Sequence, residues 1–340
     1  MTSAALDRLL AVLVVALAAT GLISLRMGAP SDGWVFFLHG LLGGSLALVA
    51  SWKVGRSLPR AVRAGRWRRV ALGLLVSAGT AAALVGGFAW VASGRVLSIG
   101  AWTVLTIHAW IGLALVPLVV VHLLPRRWRL LVPGRRPAAR PGPQIRGRDG
   151  LSRRRILVGG LLGGASVALF GASQVADRLA GGVRRFTGSR WLPPGVPPPT
   201  TFFGEAGPHI DPAVWRLRVH GNVARSLSLS LAEMQELGAL DRTVVLDCTS
   251  GWAMAAEWRG VPLRAVLGAA HAISEAAPVV VRSATGWATA LSPTDVDRSL
   301  LATAVAGGPL PAANGAPVRL VVPDRRGLDW VKWVTEIEVV

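Results

Sequence analysis

Thr243-Val-Val-Leu-Asp-Cys248, followed at once by Thr249-Ser250-Gly251-Trp252, holds the only cysteine in a chain of 340 residues. The apolar run reads as a strand that ends at the thiol. Thr249, Ser250 and Gly251 then read as a tight turn. A single thiol forms no internal disulfide, and a cysteine cluster is excluded. Three roles remain for Cys248: a soft ligand for a metal, a reactive nucleophile, or a small buried hydrophobe.

Two further blocks follow in order. The first is Trp258-Arg-Gly260-Val-Pro-Leu263. The second is Gly315-Ala-Pro317-Val-Arg319-Leu-Val-Val-Pro323, continued by Gly327-Leu-Asp-Trp-Val-Lys332-Trp333. With the Cys248 turn, these resemble the molybdenum-ligand and pterin-phosphate segments of the sulfite oxidase fold. They lie closer to the branch that holds the catalytic subunit of the periplasmic methionine-sulfoxide reductase. The resemblance spans roughly Trp215 to Val340. It implies an α+β, sulfite-oxidase-type molybdopterin-binding domain that performs oxygen-atom transfer on a small-molecule substrate. It further implies that Cys248 is the catalytic molybdenum ligand and that the amides of Thr249, Ser250 and Gly251 face the cofactor. Arg319, Lys332, Trp333 and the amides after Gly327 would then cradle the pterin phosphate. Trp252 and Trp258 shape the pocket or simply fill the core. Sulfite oxidases carry a catalytic tyrosine, and this sequence has no tyrosine. Where they carry arginines after the cysteine, it has Thr-Ser-Gly-Trp. A substrate other than sulfite is therefore expected, with reduction of an oxidised compound favoured by analogy with the reductase. The C-terminal dimerisation domain of the eukaryotic members is not expected.

The formal charge of +19 is unevenly spread. From Ile156 onward 16 Lys and Arg face 15 Asp and Glu, so the excess lies in the N-terminal half. No basic, aromatic groove for nucleic acid is implied. Beside long apolar segments, basic loops report membrane orientation.

Apolar stretches at Leu9–Leu25, Trp34–Trp52, Val70–Ala92 and Trp102–Leu124 each approach the ~20 residues that span a bilayer. A fifth, Ile156–Ala176, is long enough but rich in glycine. The loops after spans two and four carry eighteen Lys and Arg together, and the other two carry Arg26 and Arg95 alone. Positive loops stay inside, so a cytoplasmic N-terminus and an outer C-terminal domain are expected. Trp34 and Trp102 would anchor the outer interface. Ser152-Arg153-Arg154-Arg155-Ile156-Leu157 resembles a twin-arginine signal, which would make the export machinery for folded proteins a partner. The expected organisation is a four-span membrane domain (1–125), a basic cytoplasmic loop (126–155), a fifth span (156–177), a Pro/Gly-rich tether (178–200) and the oxidoreductase domain (201–340), with Phe202-Phe203 as a faint start of the family pattern.

Three histidines fall within spans, where ionisable groups are costly and tend to be functional. His39 and His108 lie five and six residues into spans two and four, about 8–9 Å deep. A matched depth suits the two axial ligands of one haem. Gly43 and Gly112, one turn further on, share the histidines' face and leave room for a macrocycle. The four spans look like a cytochrome b that serves as a membrane partner of oxidoreductases, implying haem b and exchange with the membrane quinone pool. His122 lies about 21 Å beyond His108 along the helix, but Lys53 occupies the matching place on span two. A second bis-histidine haem is therefore not expected. His122 is left as a quinone-site residue, a ligand with an unusual partner, or a headgroup-level residue.

Within the outer domain, Trp215–Gly221, Thr243–Cys248, Val279–Arg282, Trp287–Leu291 and Val318–Val322 read as strands. Leu231–Leu237 behind the cap Ser230, and Pro262–Ala270, read as helices. Two rival functions remain open on sequence grounds: a haem-only electron carrier with a non-catalytic outer domain, and a binding or sensor domain with no cofactor.

Overall fold

Long apolar segments with no polar face can bury themselves only in lipid or in one another, and five such helices make up most of the N-terminal half. The computed structural model describes residues 3–127, 153–200, 207–274 and 277–340. The helices are α1 (Ser3–Ser24), α2 (Gly33–Arg63), α3 (Trp67–Ala92), α4 (Val104–Arg127) and α5 (Arg153–Leu179). All five are long and apolar enough to cross a membrane. Val12, Leu74, Val85, Val120 and Leu161 remain exposed on their outward faces, as expected of helices whose solvent is hydrocarbon. Between helices, small residues permit close approach. A Cβ on Gly79 would stand 2.9 Å from Leu115, and one on Gly44 3.2 Å from the Ser166 carbonyl oxygen. The Ser45 and Ser166 hydroxyls are 3.0 Å apart.

Two features differ from the sequence expectation. Helix α2 continues to Arg63 through Pro59, so Lys53, Arg56 and Arg60 are helical and not part of a loop. Pro59 stands about one turn from the end of α2, where the hydrogen bond it removes and the ring clash it makes disturb only the last part of the helix. Between α3 and α4 a small hairpin forms, β1 (Ser98–Ile99) and β2 (Trp102–Thr103), so Trp102 belongs to the hairpin. Most of the basic loop at 126–155, Ser152 of the twin-arginine motif, and Phe202-Phe203 lie outside the described residues.

The chain divides into two compact units, residues 1–22 with 34–182, and residues 23–33 with 183–340. The connection between α1 and α2 thus belongs to the second unit. There Arg26 pairs with buried Asp329 at 3.1 Å, and Met27 bridges to Arg325.

The second unit is built on two sheets and three short helices. The strands are β3 (Arg190–Trp191), β4 (Leu217–Gly221), β5 (Leu227–Leu229), β6 (Leu240–Asp247), β7 (Trp252–Pro262), β8 (Val279–Ser283), β9 (Ala288–Leu291), β10 (Leu300–Val305), β11 (Gly308–Pro309), β12 (Arg319–Val321) and β13 (Val334–Val339). The first sheet centres on β7, paired antiparallel with β6 and β10 and parallel with β3. The second runs β5-β4-β13-β8-β9, with β4 and β13 parallel. Helices α6 (Leu231–Glu236), α7 (Leu263–Ala269) and α8 (Pro293–Arg298) complete the unit. Ser230 and Glu233 form a capping box at α6, as the serine there leads one to expect.

The longest strand, β7, escaped the sequence reading, although its Trp258–Leu263 stretch stood out as a motif. The close approach of β10 tolerates no side chain at buried Gly260, where a Cβ would lie 2.2 Å from the Leu301 carbonyl oxygen. Gly260→Ala is therefore expected to force β7 from β10 and destabilise the second unit by about 2–3 kcal/mol or more. Denaturant unfolding followed by tryptophan fluorescence measures it.

Candidate functional site

Cys248 is the first residue past β6, and the tight turn expected after it is present. The Cys248 amide donates to the Trp252 carbonyl (2.8 Å) and the Gly251 amide to the Cys248 carbonyl (3.0 Å). Gly251 takes φ +100°, which favours glycine at this place. The sulfur is buried, with the Ser250 hydroxyl at 3.0 Å and the Thr200 hydroxyl at 3.5 Å. Thr249 sits half-buried in the turn.

The residue before the thiol organises its surroundings. Asp247 is fully buried. Its Oδ2 accepts hydrogen bonds from Arg185 (2.7 Å) and Thr187 (2.7 Å). Its Oδ1 accepts one from Ser189 (2.6 Å) and pairs with Arg326 at 3.3 Å. Arg326 also donates to the Cys248 carbonyl (2.9 Å) and to the Ser24 carbonyl (3.3 Å). None of Asp247, Arg185, Thr187, Ser189 and Arg326 was singled out from sequence. The available signal was the run of Arg, Thr and Ser ahead of the prolines, in a segment that read as a tether. In the structure residues 183–200 belong to the second unit. β3 pairs with β7, and the Pro197 carbonyl accepts from buried Asn314 (2.9 Å).

The second motif block approaches the same turn. Gly327 lies so close that a Cβ would meet the Cys248 Cα at 3.4 Å. Arg319 is buried, its guanidinium 5.5 Å from the Trp258 ring and 5.7 Å from the Trp330 ring. Nη1 donates to the Asn314 carbonyl (3.0 Å), but among the described residues Nε finds no hydrogen-bond partner. Burial pulls this guanidinium down to about 10, with the Cys248 sulfur partly opposing the shift; it stays cationic at neutral pH. Lys332 donates to the carbonyls of Thr200 (2.6 Å) and Ala313 (2.8 Å) and lies 5.2 Å from the Trp333 ring. Trp333 is itself anchored by its indole N–H to Ala312 (2.9 Å). Trp258 is fully buried edge-on to Trp330, so it is core as well as site wall.

This donor set fits a molybdenum-pterin group. A lone thiolate supplies one soft ligand, and among the described residues no three His, Cys, Asp or Glu side chains gather to complete a metal site. The remaining ligands would have to come from the cofactor. A buried guanidinium with an orphaned Nε beside the sulfur suits an anionic partner.

In the first unit, the His39 and His108 rings lie edge to face, with centroids 6.0 Å apart and planes at 82°. His108 Nδ1 lies 2.7 Å from the Ala83 carbonyl, so it carries the proton and donates. His39 Nδ1 lies 2.9 Å from the Thr20 hydroxyl, which is also within hydrogen-bond reach of the Ala16 and Leu17 carbonyls of its own helix. Back-bonding of that kind favours the hydroxyl as acceptor from His39. A ring that donates from Nδ1 keeps a lone pair on Nε2, which a metal requires. Added Cβ atoms at Gly43 and Gly112 would meet nothing within 4 Å. His122 instead lines a separate cavity.

Comparison with known proteins bears on the second unit. The family model of the oxidoreductase molybdopterin binding domain matches residues 205–340. The catalytic subunits of protein-methionine-sulfoxide reductase (MsrP) from Xanthomonas campestris pv. campestris and Xanthomonas axonopodis pv. citri are each 34% identical over 148 residues. Those matches cover 37% of this chain and 45% of each relative, so the chain spans under half the length of the curated relatives it matches. Among solved structures, the sulfane dehydrogenase SoxCD from Paracoccus pantotrophus aligns with TM-score 0.37 and 24% identity over 39% of this chain and 40% of that one. Residues 205–340 form a molybdopterin-binding oxidoreductase domain.

The Asp247 cluster gives a test. Asp247→Asn leaves Arg185 and Arg326 without their buried counter-charge and is expected to cost about 3–5 kcal/mol. Ser189→Ala, which removes one neutral donor, is expected to cost nearer 1 kcal/mol. Equilibrium denaturation of the two variants checks the ranking.

Proposed function

We propose that the protein is a membrane-anchored molybdopterin-dependent reductase acting outside the cytoplasm, with a sulfoxide as its substrate class. Its electrons would come from the quinone pool through a haem b in the same chain. The observation that carries the enzymatic part is the buried Cys248 thiol, held in its turn beside Arg319 within a segment matched to the molybdopterin-binding family. The net reaction is sulfoxide plus two electrons and two protons giving thioether plus water. The bound cofactor would supply two-electron exchange and a seat for the transferred oxygen.

The chain's own residues have distinct tasks. Cys248 supplies the thiolate. Ser250 and Thr200 offer hydroxyls to its sulfur. Arg326 fixes the cysteine carbonyl, so the ligand cannot swing with the turn. Arg319 holds positive charge near the thiolate in a dry setting, where a charge acts strongly. Lys332 and the amides after Gly327 would serve the pterin phosphate, with Trp333 packed beside the ammonium.

For the membrane part, the paired tautomers of His39 and His108 support ligation of one haem iron, which would pass electrons singly. The distribution of basic loops supports a cytoplasmic N-terminus. Arg153-Arg154-Arg155 ahead of the fifth span supports export of a folded, cofactor-loaded domain by the twin-arginine route. A non-catalytic outer domain is disfavoured, because its matched family is of oxidoreductases.

Cys248→Ser is expected to abolish molybdenum retention by elemental analysis while leaving the reduced-minus-oxidised haem spectrum intact. Full molybdenum in that variant would defeat the ligand assignment. His39→Ala or His108→Ala should each remove the haem bands and leave molybdenum content near that of the parent. Unchanged bands in both would remove the haem pair from the proposal.

A further inference from the structure

One cavity in the first unit takes no part in the chemistry above. It measures about 410 Å3 and is walled by α1, α2, α3 and α4. That volume lies within the roughly 300–1,000 Å3 typical of small-molecule sites. Its wall is mainly aliphatic, yet Asp7, Lys53, Ser77, Thr80 and His122 all reach it. Lys53 and Asp7 form an ion pair at 2.6 Å, and both are largely buried.

We infer that this cavity binds the ring of a lipid-soluble quinone. The inference deepens the electron-exchange role proposed above and rests on it for the electron acceptor. A quinone ring is flat and apolar, carries two opposed carbonyl acceptors, and becomes a diol when reduced. The Lys53 ammonium and the His122 imidazole are donors for the carbonyls, and the Asp7 carboxylate accepts from a hydroxyl. An aliphatic wall with a few convergent polar groups is the usual composition of such a site.

A second haem is the natural rival, since His122 lies on the same helix as His108. Lys53 stands where its axial partner would be. A protonated ammonium in an ion pair has no lone pair to give a metal, so the Lys53–Asp7 pair argues for an organic ring. The cavity also has the right position to feed the histidine pair. Its wall residues Val14, Leu46 and Thr80 lie six, seven and three residues from Thr20, His39 and Ala83. Along a helix these separations are about 9, 10 and 5 Å. Oxidation of one quinol breaks two O–H bonds and forms two C=O bonds. The two electrons would leave one at a time to a one-electron acceptor, the haem that His39 and His108 would hold. Two protons pass to Asp7 and His122 and on to water.

The test uses the full chain in lipid nanodiscs with an azido-ubiquinone photolabel and decylubiquinone as competitor, the labelled peptides being mapped by mass spectrometry. Label on cavity-lining residues of α1–α4, displaced by decylubiquinone, is expected. His122→Leu and the cavity-filling Ser77→Phe should each weaken displacement at least tenfold, with the dithionite-reduced haem spectrum of His122→Leu unchanged. Label confined to other surfaces, no displaceable label, or displacement unaffected by both variants would overturn the site. A new loss of haem bands in His122→Leu would favour the second-haem rival and also overturn it. The label reads binding without needing haem. Cavity labelling in a haem-free preparation would therefore refute the haem pair and leave the quinone site standing.

Discussion

A carboxylate with no exposure to water is held in the fold only by what surrounds it, and Asp247 is such a group. Removing its charge from water costs several kcal/mol. The cost is offset by two guanidiniums and two hydroxyls arranged around its two oxygens. Those donors come from distant parts of the sequence, residues 185–189 and 326. Because Asp247 adjoins Cys248, the same interactions fix the backbone that presents the thiol. Arg326 extends the network to the cysteine carbonyl itself. Stability of the second unit and placement of its sulfur thus depend on one charge.

This dependence explains what the sequence could and could not yield. Cys248, Arg319, Gly327 and Lys332 were legible because a resemblance in spacing marked them. The structure sets Gly327 against the Cys248 turn, leaves Arg319 within electrostatic reach of the sulfur, and ties Lys332 to the carbonyl of Thr200, whose hydroxyl is 3.5 Å from that sulfur. The strand ending at Cys248 and the cap at Ser230 were legible from local chemistry. The partners of Asp247 were not, because hydrogen bonds across 58–79 residues leave no periodic trace. Residues 183–200 look like a solvated tether by composition, and only tertiary pairing with β7 turns them into a wall of the site. Strand β7 was hidden for a related reason. Its first part, residues 252–254, is buried on both faces, and only residues 256–260 show the alternation of a half-exposed strand, with Glu257 and Arg259 outside. Helix α2 outran its expected end because charge was taken to stop a helix, when it stops only the apolar span.

The electrostatics of the second unit are also uneven in a telling way. Several of its arginines sit in ordinary surface pairs, such as Arg218 with Glu336 and Arg282 with Glu338. Pairs of that kind contribute little to stability. Arg319 differs. It is buried between two indoles, its carbonyl partner is neutral, and Cys248 is the neighbour that opposes its downward shift. Burying a guanidinium with so little compensation is costly, which sets Arg319 apart from the surface pairs.

The histidine pair follows a comparable logic with neutral groups. An imidazole can ligate a metal only through a nitrogen without a proton, and in apolar surroundings the choice of tautomer falls to whatever touches the other nitrogen. A backbone carbonyl can only accept, so the Ala83 contact leaves His108 one option. A threonine hydroxyl can do either, and Thr20 lies within reach of two carbonyls of its own helix, a usual habit of threonine there, which favours its accepting from His39. Two different surroundings therefore favour the same tautomer in two neighbouring rings. Each ring binds through Nδ1 to a neighbouring helix, His39 on α2 to Thr20 of α1 and His108 on α4 to Ala83 of α3, so neither ring spends that nitrogen on the other.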